Sequence, residues 1–195
     1  MKLIRTAAAV ALGAACSAAA FAQTAGSIIQ RDVNQQQRIE QGLKSGQLST
    51  GEAARLERGE ARVNRMEANA LKDGTLTPAE KARITRAQNA ESRAIERDKH
   101  NAVTGNPNSA SSRRMQAAVQ RNVNQEGRIA QGVASGRLTN REAGRLERGQ
   151  ARVDRKEARA GADGKVTANE ERRIQSAENR QSRNIYREKH DAQSR

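Results

Sequence analysis

The chain is nearly devoid of aromatic residues, with one Phe, one Tyr and no Trp among 195 residues. Phe21 falls in a segment that reads as a leader, so Tyr186 is the single aromatic beyond it. Small-molecule pockets are lined mainly by large apolar and aromatic side chains, so this composition argues against a compact enzyme with a wide dry cavity. There is one cysteine, Cys16, which rules out any intramolecular disulfide. Beyond residue 22 only 51 of 173 residues are apolar, and 25 of those are Ala. Acidic residues are outnumbered, 22 against 36 basic ones, for a formal charge of +14. Low hydrophobicity with high net charge is the composition of disordered chains.

Residues 1–22 have the pattern of a secretory signal. Lys2 and Arg5 precede a short apolar stretch, Ala7 to Ala15, and Ala20-Phe21-Ala22 offers a small-residue cleavage site before Gln23. The stretch is too short to cross a bilayer. A lipid-bearing Cys16 after Gly13-Ala14-Ala15 is the alternative reading. Either reading places the protein outside the cytoplasm, in the periplasm of a Gram-negative cell. The charge beyond the leader is then +12.

An internal repeat turns the expectation from disorder to structure. Gln30 to Ala102 aligns without gaps on Gln120 to Ala192, at an offset of 90, with 41 of 73 positions identical. Copied Gly and apolar positions imply copied geometry. Between the copies, Gly105-Asn106-Pro107-Asn108 and three serines read as a linker. The expected organisation is a signal peptide over 1–22, a helical module over 23–100, a linker over 101–115 and a second module over 116–195.

Each copy carries a weaker repeat at an offset of 28. Ser45-Gly46-x-Leu48-Ser49-x-x-Glu52 is answered by Asp73-Gly74-x-Leu76-Thr77-x-x-Glu80. Ser135-Gly136, Leu138-Thr139 and Glu142 match Asp163-Gly164, Val166-Thr167 and Glu170 in the second copy. Gly ends one helix in the left-handed region, and Ser or Thr caps the next with a Glu three places on. These corners predict an all-α chain with three helices per copy, near 28–44, 50–72 and 78–99 in the first. On the middle helix, Leu56, Gly59, Val63, Met66 and Ala70 form a narrow seam for a helix pair. Arg55, Arg58, Arg62 and Arg65 flank it on one side, and Glu57, Glu60 and Glu67 lie on the other. So thin a seam supports marginal stability per module and suggests self-association into a homo-oligomer.

Two arrays of charge could carry binding. The corner loops resemble EF-hand calcium loops, in which Gly is sixth, an apolar residue eighth and Glu twelfth. Asp73 and Glu80, with Asp163 and Glu170, stand at places five and twelve. Places one and three hold Asn69 and Leu71, or Arg159 and Gly161, so oxygen ligands are few. Helix capping accounts for the same letters, and a divalent cation is the alternative. Arg55, Arg58, Arg62 and Arg65, with Arg145, Arg148, Arg152 and Arg155, could grip an anionic partner. The competing reading is a solvated face whose arginines pair with Glu on a neighbouring helix. The missing aromatics and the compartment speak against nucleic acid. His100 and His190 end the last helix of each copy, where positive charge is favoured. No nucleophile is paired with a base, and the expectation is a protein that is not an enzyme.

Arg38-Ile39-Glu40-Gln41-Gly42, the corner through Glu52, Arg55-Leu56-Glu57 and Ile185-Tyr186-Arg187-x-Lys189-His190-Asp191 resemble a group of small exported proteobacterial helical proteins with EF-hand-like corners. This chain looks like a tandem duplication of that unit. The resemblance implies export and repeat architecture and brings no chemistry with it. Leu76-Thr77-x-x-Glu80 and Leu138-Thr139-x-x-Glu142 are more loosely similar to the L-T-x-x-Q of Spy/CpxP-type periplasmic proteins, with Glu in place of Gln. That likeness implies a stress-related role toward client proteins, while the charge of +12 makes an anionic envelope surface the other candidate partner.

Overall fold

The computed structural model describes residues 15–191, with side chains from residue 25. The segment read as a leader lies outside the described residues up to 14, and nothing is described of the Cys16 side chain. The described residues form six helices and no strand: α1 (Ala15–Ser45), α2 (Thr50–Ala70), α3 (Pro78–Lys99), α4 (Ala110–Ala134), α5 (Asn140–Ala160) and α6 (Ala168–His190). Among them no helix is long and apolar enough to cross a membrane.

The four corners form as the sequence pattern requires. Ser49, Thr77, Thr139 and Thr167 each cap a helix, and Glu52, Glu80, Glu142 and Glu170 complete a capping box at every one. Gly46 has φ +77°, which an L side chain adopts only with strain, and the other three corner glycines are likewise positive. Leu48, Leu76, Leu138 and Val166 are buried behind the corners. α4 begins earlier than the expected linker allowed, because Ser109 accepts a hydrogen bond from Ser112 N and starts the helix at Ala110. The remaining linker is tied down: Gly105 N donates to Gly46 O at 2.8 Å, and Gln116 Nε2 to Pro107 O at 2.9 Å.

Each copy supplies its three helices, yet the packing runs mainly between copies. α1 lies along α4 and α2 along α5, far more extensively than α1 touches α2 or α4 touches α5. α3 and α6 cover these pairs in equivalent ways. Both apolar clusters draw on both copies. One joins Ile28, Ile29 and Val33 near the start of α1 to Ile129, Ala130 and Val133 near the end of α4. The other joins Ile39 and Leu43 to Met115, Ala118 and Val119. α1 and α4 are therefore antiparallel. α2 and α5 are too, since Ala70 clusters with Ala143 and Leu146, and Ala53 with Ala160. The two apolar seams, each thin in its own copy, are pooled into a cluster at either end of one bundle.

Candidate metal centre

Between the two apolar ends the bundle interior is acidic. Asp32, Glu57, Glu60, Glu67, Glu126, Glu147, Asp154 and Glu157 are each at most 1% exposed. They project from α1, α2, α4 and α5, and on α2 residues 57, 60, 64 and 67 form a stripe at spacings of three and four. That stripe is the apolar seam displaced by one residue, so antiparallel packing of α2 on α5 turns it inward. None of the eight forms an ion pair with a described Lys, Arg or His. Isolated buried charge is too costly to persist without a partner or a proton.

Four amides meet some of the demand. Gln36 Nε2 donates to Glu57 Oε2 at 3.1 Å. Asn64 Nδ2 donates to Asp154 Oδ2 at 2.9 Å and to Glu126 Oε1 at 3.1 Å. Asn122 Nδ2 donates to Glu157 Oε2 at 2.7 Å, and Gln88 Nε2 reaches Asp32 at 2.7 Å and Glu67 at 3.1 Å. Many oxygens still have no protein donor, including Glu57 Oε1, Glu157 Oε1, Glu67 Oε2, Glu126 Oε2 and both oxygens of Glu60 and Glu147.

Burial drives the titration. Loss of solvent raises Glu57 from 4.5 to about 7, against hydrogen bonds from Gln36, Glu157 and Asn122 that pull it down, while the Glu91 charge raises it further. Asp32 rises from 3.8 to about 7 for the same first reason. Glu60, Glu67, Glu126, Glu147, Asp154 and Glu157 are all pushed well up by burial and then by one another's charges. Carboxyls facing carboxyls need a proton or a cation between them.

The tightest group is Glu57, Asp154 and Glu157, with one carboxylate oxygen from each lying within 4.8 Å of the others. Three convergent hard carboxylate oxygens suit Ca²⁺, Mg²⁺ or Mn²⁺ rather than a thiolate- or imidazole-preferring ion. The histidines lie elsewhere, exposed at the ends of α3 and α6, and Nδ1 of each meets a carbonyl one turn back. A second acidic group joins the buried Glu142 to the half-buried Glu188 and Asp191, and it holds Arg145, whose guanidinium is 2.8 Å from Glu188. The interior group has no such cation of its own.

The residues singled out from sequence fall elsewhere. Asp73 and Glu80 are at one corner, and both serve local turns. Asp73 Oδ1 accepts from Thr75 N and Oγ1 at 3.0 Å, and Glu80 Oε2 accepts from Thr77 N at 3.0 Å. Asp163 and Glu170 repeat this with Lys165 N and Thr167 N. These bonds hold Asp73 and Glu80 below the ordinary carboxylate range. Arg55, Arg58, Arg62, Arg65, Arg145, Arg148 and Arg152 face solvent, while Arg155 is half-buried and donates to Ala151 O. Arg55 does find acidic partners, Asp98 of α3 at 3.5 Å and Glu52 at 3.7 Å. Glu57, Glu60 and Glu67, on the other flank of the seam, find none and form the centre instead. The sequence did carry their signal: Asp, Glu, Asn or Gln stands in both copies at helical spacing along the middle helix, as at 57/147, 60/150, 64/154 and 67/157.

A different cationic surface runs along α6. Arg128, Arg180, Arg183 and Arg187 line a groove of about 780 Å³ beside Tyr186. A neighbouring groove of about 540 Å³ continues through Arg180 to Lys156, Arg172 and Arg173. Compared with known proteins, the chain matches no family model, no curated protein and no solved structure.

Proposed function

We propose that this is an exported, non-enzymatic helical protein that binds a hard divalent cation inside its bundle. The observation that carries the reading is the buried group Glu57, Asp154 and Glu157, whose oxygens converge with no protein cation to neutralise them. Bound there, a dication would replace the protons that burial otherwise imposes, so binding releases protons and adds to folding stability. The site is sealed from solvent, which suits retention of an ion and leaves no room for a substrate. The corner loops contribute helix caps in this reading, and the leader supplies a compartment in which calcium and magnesium are plentiful.

The test is calorimetric titration of the chelated full chain with Ca²⁺, Mg²⁺ and Mn²⁺, with thermal melts alongside. Saturable binding that raises the melting temperature, and is lost in Glu57→Gln and Asp154→Asn, is the expected result. No heat and no change in melting at millimolar ion would overturn it.

A second reading, attraction to an anionic envelope surface or client protein, rests on the grooves along α6. Arg173, Arg180 and Arg183 form no ion pair among the described residues. Binding to anionic vesicles that falls steeply with salt, and weakens in Arg180→Ala with Arg183→Ala, would support it. Salt-independent binding would count against it.

A further inference from the structure

We infer that the C-terminal half of α6 carries a phosphate-binding site, in which Arg128, Arg180, Arg183 and Arg187 line a groove beside Tyr186. This rests on the second reading above and deepens it, taking the α6 face from general attraction to one built site with one class of ligand.

The internal duplication supplies the comparison. In the first copy, Arg38 donates through Nη1 to Ser92 Oγ at 2.8 Å and through Nη2 to Ser92 O at 3.4 Å. The same Nη2 is ion-paired with Glu96 Oε2 at 2.9 Å. At the offset of 90, Arg128 repeats both serine bonds on Ser182, at 2.8 and 3.4 Å. Tyr186 stands where Glu96 does. The Arg128 guanidinium is therefore held by the corresponding serine, while the carboxylate that completes the arrangement in the first copy is gone. Tyr186 is 59% exposed, and its ring stacks on His190 with centroids 4.1 Å apart. Its hydroxyl can donate to an oxyanion, which a carboxylate at that position would repel. A guanidinium organised for an oxyanion, and without one in its own chain, calls for a ligand that brings one.

Charge sets the class of that ligand. A second exchange places Arg180 where the first copy has Ala90, and Arg183 and Arg187 match Arg93 and Arg97. Arg97 lies 3.4 Å from Asp98, whereas Glu188, the counterpart of Asp98, is turned to Arg145 at 2.8 Å. None of the four groove arginines is ion-paired with a described carboxylate, and no acid lines the groove. Arg180, Arg183 and Arg187 are exposed, so a ligand can reach them. Lys189 Nζ adds a further cation, donating to Arg128 O at 3.2 Å. Burial first, and then the charges of Arg128 and Arg137, hold this lysine below its ordinary value. A lone carboxylate brings one charge to this crowd of guanidinium groups and fills little of a groove of about 780 Å³. A phosphate group brings about two charges and several oxygens, which suit the forked donors of more than one arginine. The ligand is a phosphorylated anion, whose phosphate belongs either to a free compound or to a phospholipid headgroup.

The experiment uses the full chain, freed of divalent ions by chelation and dialysis. Pyrophosphate is titrated by calorimetry, and phosphatidylcholine vesicles with and without phosphatidic acid are tested by cosedimentation. Circular dichroism confirms the helicity of each variant. Tyr186→Glu restores at Arg128 the pairing of Arg38 with Glu96 without removing an arginine. Arg172→Gln, near the other end of α6, changes the charge by the same one unit outside the groove. One pyrophosphate per chain, weakened about tenfold or more in Tyr186→Glu and little in Arg172→Gln, is the expected result. Arg187→Gln is the second variant, used if Tyr186→Glu fails to fold. The same pattern confined to phosphatidic acid vesicles would put the phosphate on a lipid and equally support the site. Glu96→Tyr with Ala90→Arg should open the corresponding place on α3 and raise the count to two. A count that stays at one would overturn the role given to the Tyr186 exchange. Equal weakening in Tyr186→Glu and Arg172→Gln would show diffuse attraction to the α6 face, overturning the site and leaving the second reading standing. No binding of pyrophosphate or of either vesicle would remove the site together with the envelope surface of that reading.

Discussion

Replacing Glu57 by Gln should change stability in opposite directions with and without a cation, which a merely structural glutamate would not do. Glu57 is fully buried, and loss of solvent raises it from 4.5 to about 7. A carboxyl raised in the folded state is neutral and harmless at low pH. As pH climbs from the unfolded value to the folded one, the unfolded chain gives up its proton first, and folding loses stability at about 1.4 kcal/mol per pH unit. Over the interval from 4.5 to about 7 the loss comes to about 3 kcal/mol and is complete by about pH 8. Gln keeps the shape, can still accept from Gln36 Nε2, and carries no charge. In chelator at about pH 8 the variant should therefore be more stable by up to about 3 kcal/mol, or about 6–12 °C in melting temperature for a chain of this size. At about pH 4.5 the difference should vanish. With cation at about 100 times its dissociation constant, the unsubstituted protein should gain about 2.7 kcal/mol and the variant much less. Urea unfolding at the two pH values, with chelator and with calcium, measures all four corners. A variant less stable than its parent in chelator at high pH would refute the reasoning, as would a difference independent of pH.

Glycines offer a contrast of sign. A Cβ at Gly59 would overlap the Glu91 carboxylate, whereas one at Gly127 in α4 meets nothing within 4 Å. Gly59→Ala should lose about 1–3 kcal/mol by overpacking, and Gly127→Ala should gain about 0.5–1 kcal/mol through helix propensity, both read by urea unfolding. At the corners, Gly46→Ala should cost more than Gly74→Ala. Both have positive φ, but only at Gly46 would the new Cβ press on the linker, 2.9 Å from Gly105 O. Each should lose about 1–2 kcal/mol for the left-handed backbone, with a further loss at Gly46, visible as a lower denaturation midpoint. Arg121→Ala should strand Glu178, which is 0% exposed and bonded to the Arg121 guanidinium at 2.6 Å. The cost should be about 2–3 kcal/mol at neutral pH, shrinking in acid as Glu178, raised by its burial, takes up a proton. A loss that does not change with pH would show that Arg121 acts through packing alone.

The helices and their corners were legible in the sequence because caps, left-handed glycines and a buried corner residue act within a few positions of one another. Expected spans of 50–72 and 78–99 fall within two residues of α2 and α3. The acidic interior was harder to read, although Glu57, Glu60, Asn64 and Glu67 repeat at helical spacing, because acidic residues one place from an apolar seam ordinarily face water or pair with arginine. What reverses that expectation is the partner helix. α2 packs chiefly on α5 and only secondarily on α3 of its own copy, so the Glu flank of its seam is enclosed while the Arg flank stays in solvent.

By itself, then, the sequence determined the secondary structure, the duplication and the surplus of positive charge, all of which follow from local pattern and composition. Only the tertiary structure decided which charges are inside. Antiparallel pairing of the copies joins two thin apolar stripes into two end clusters and closes the acids of both copies between them. A carboxylate's environment depends on what the other copy brings to it, and residues 90 positions apart meet only when the chain has folded.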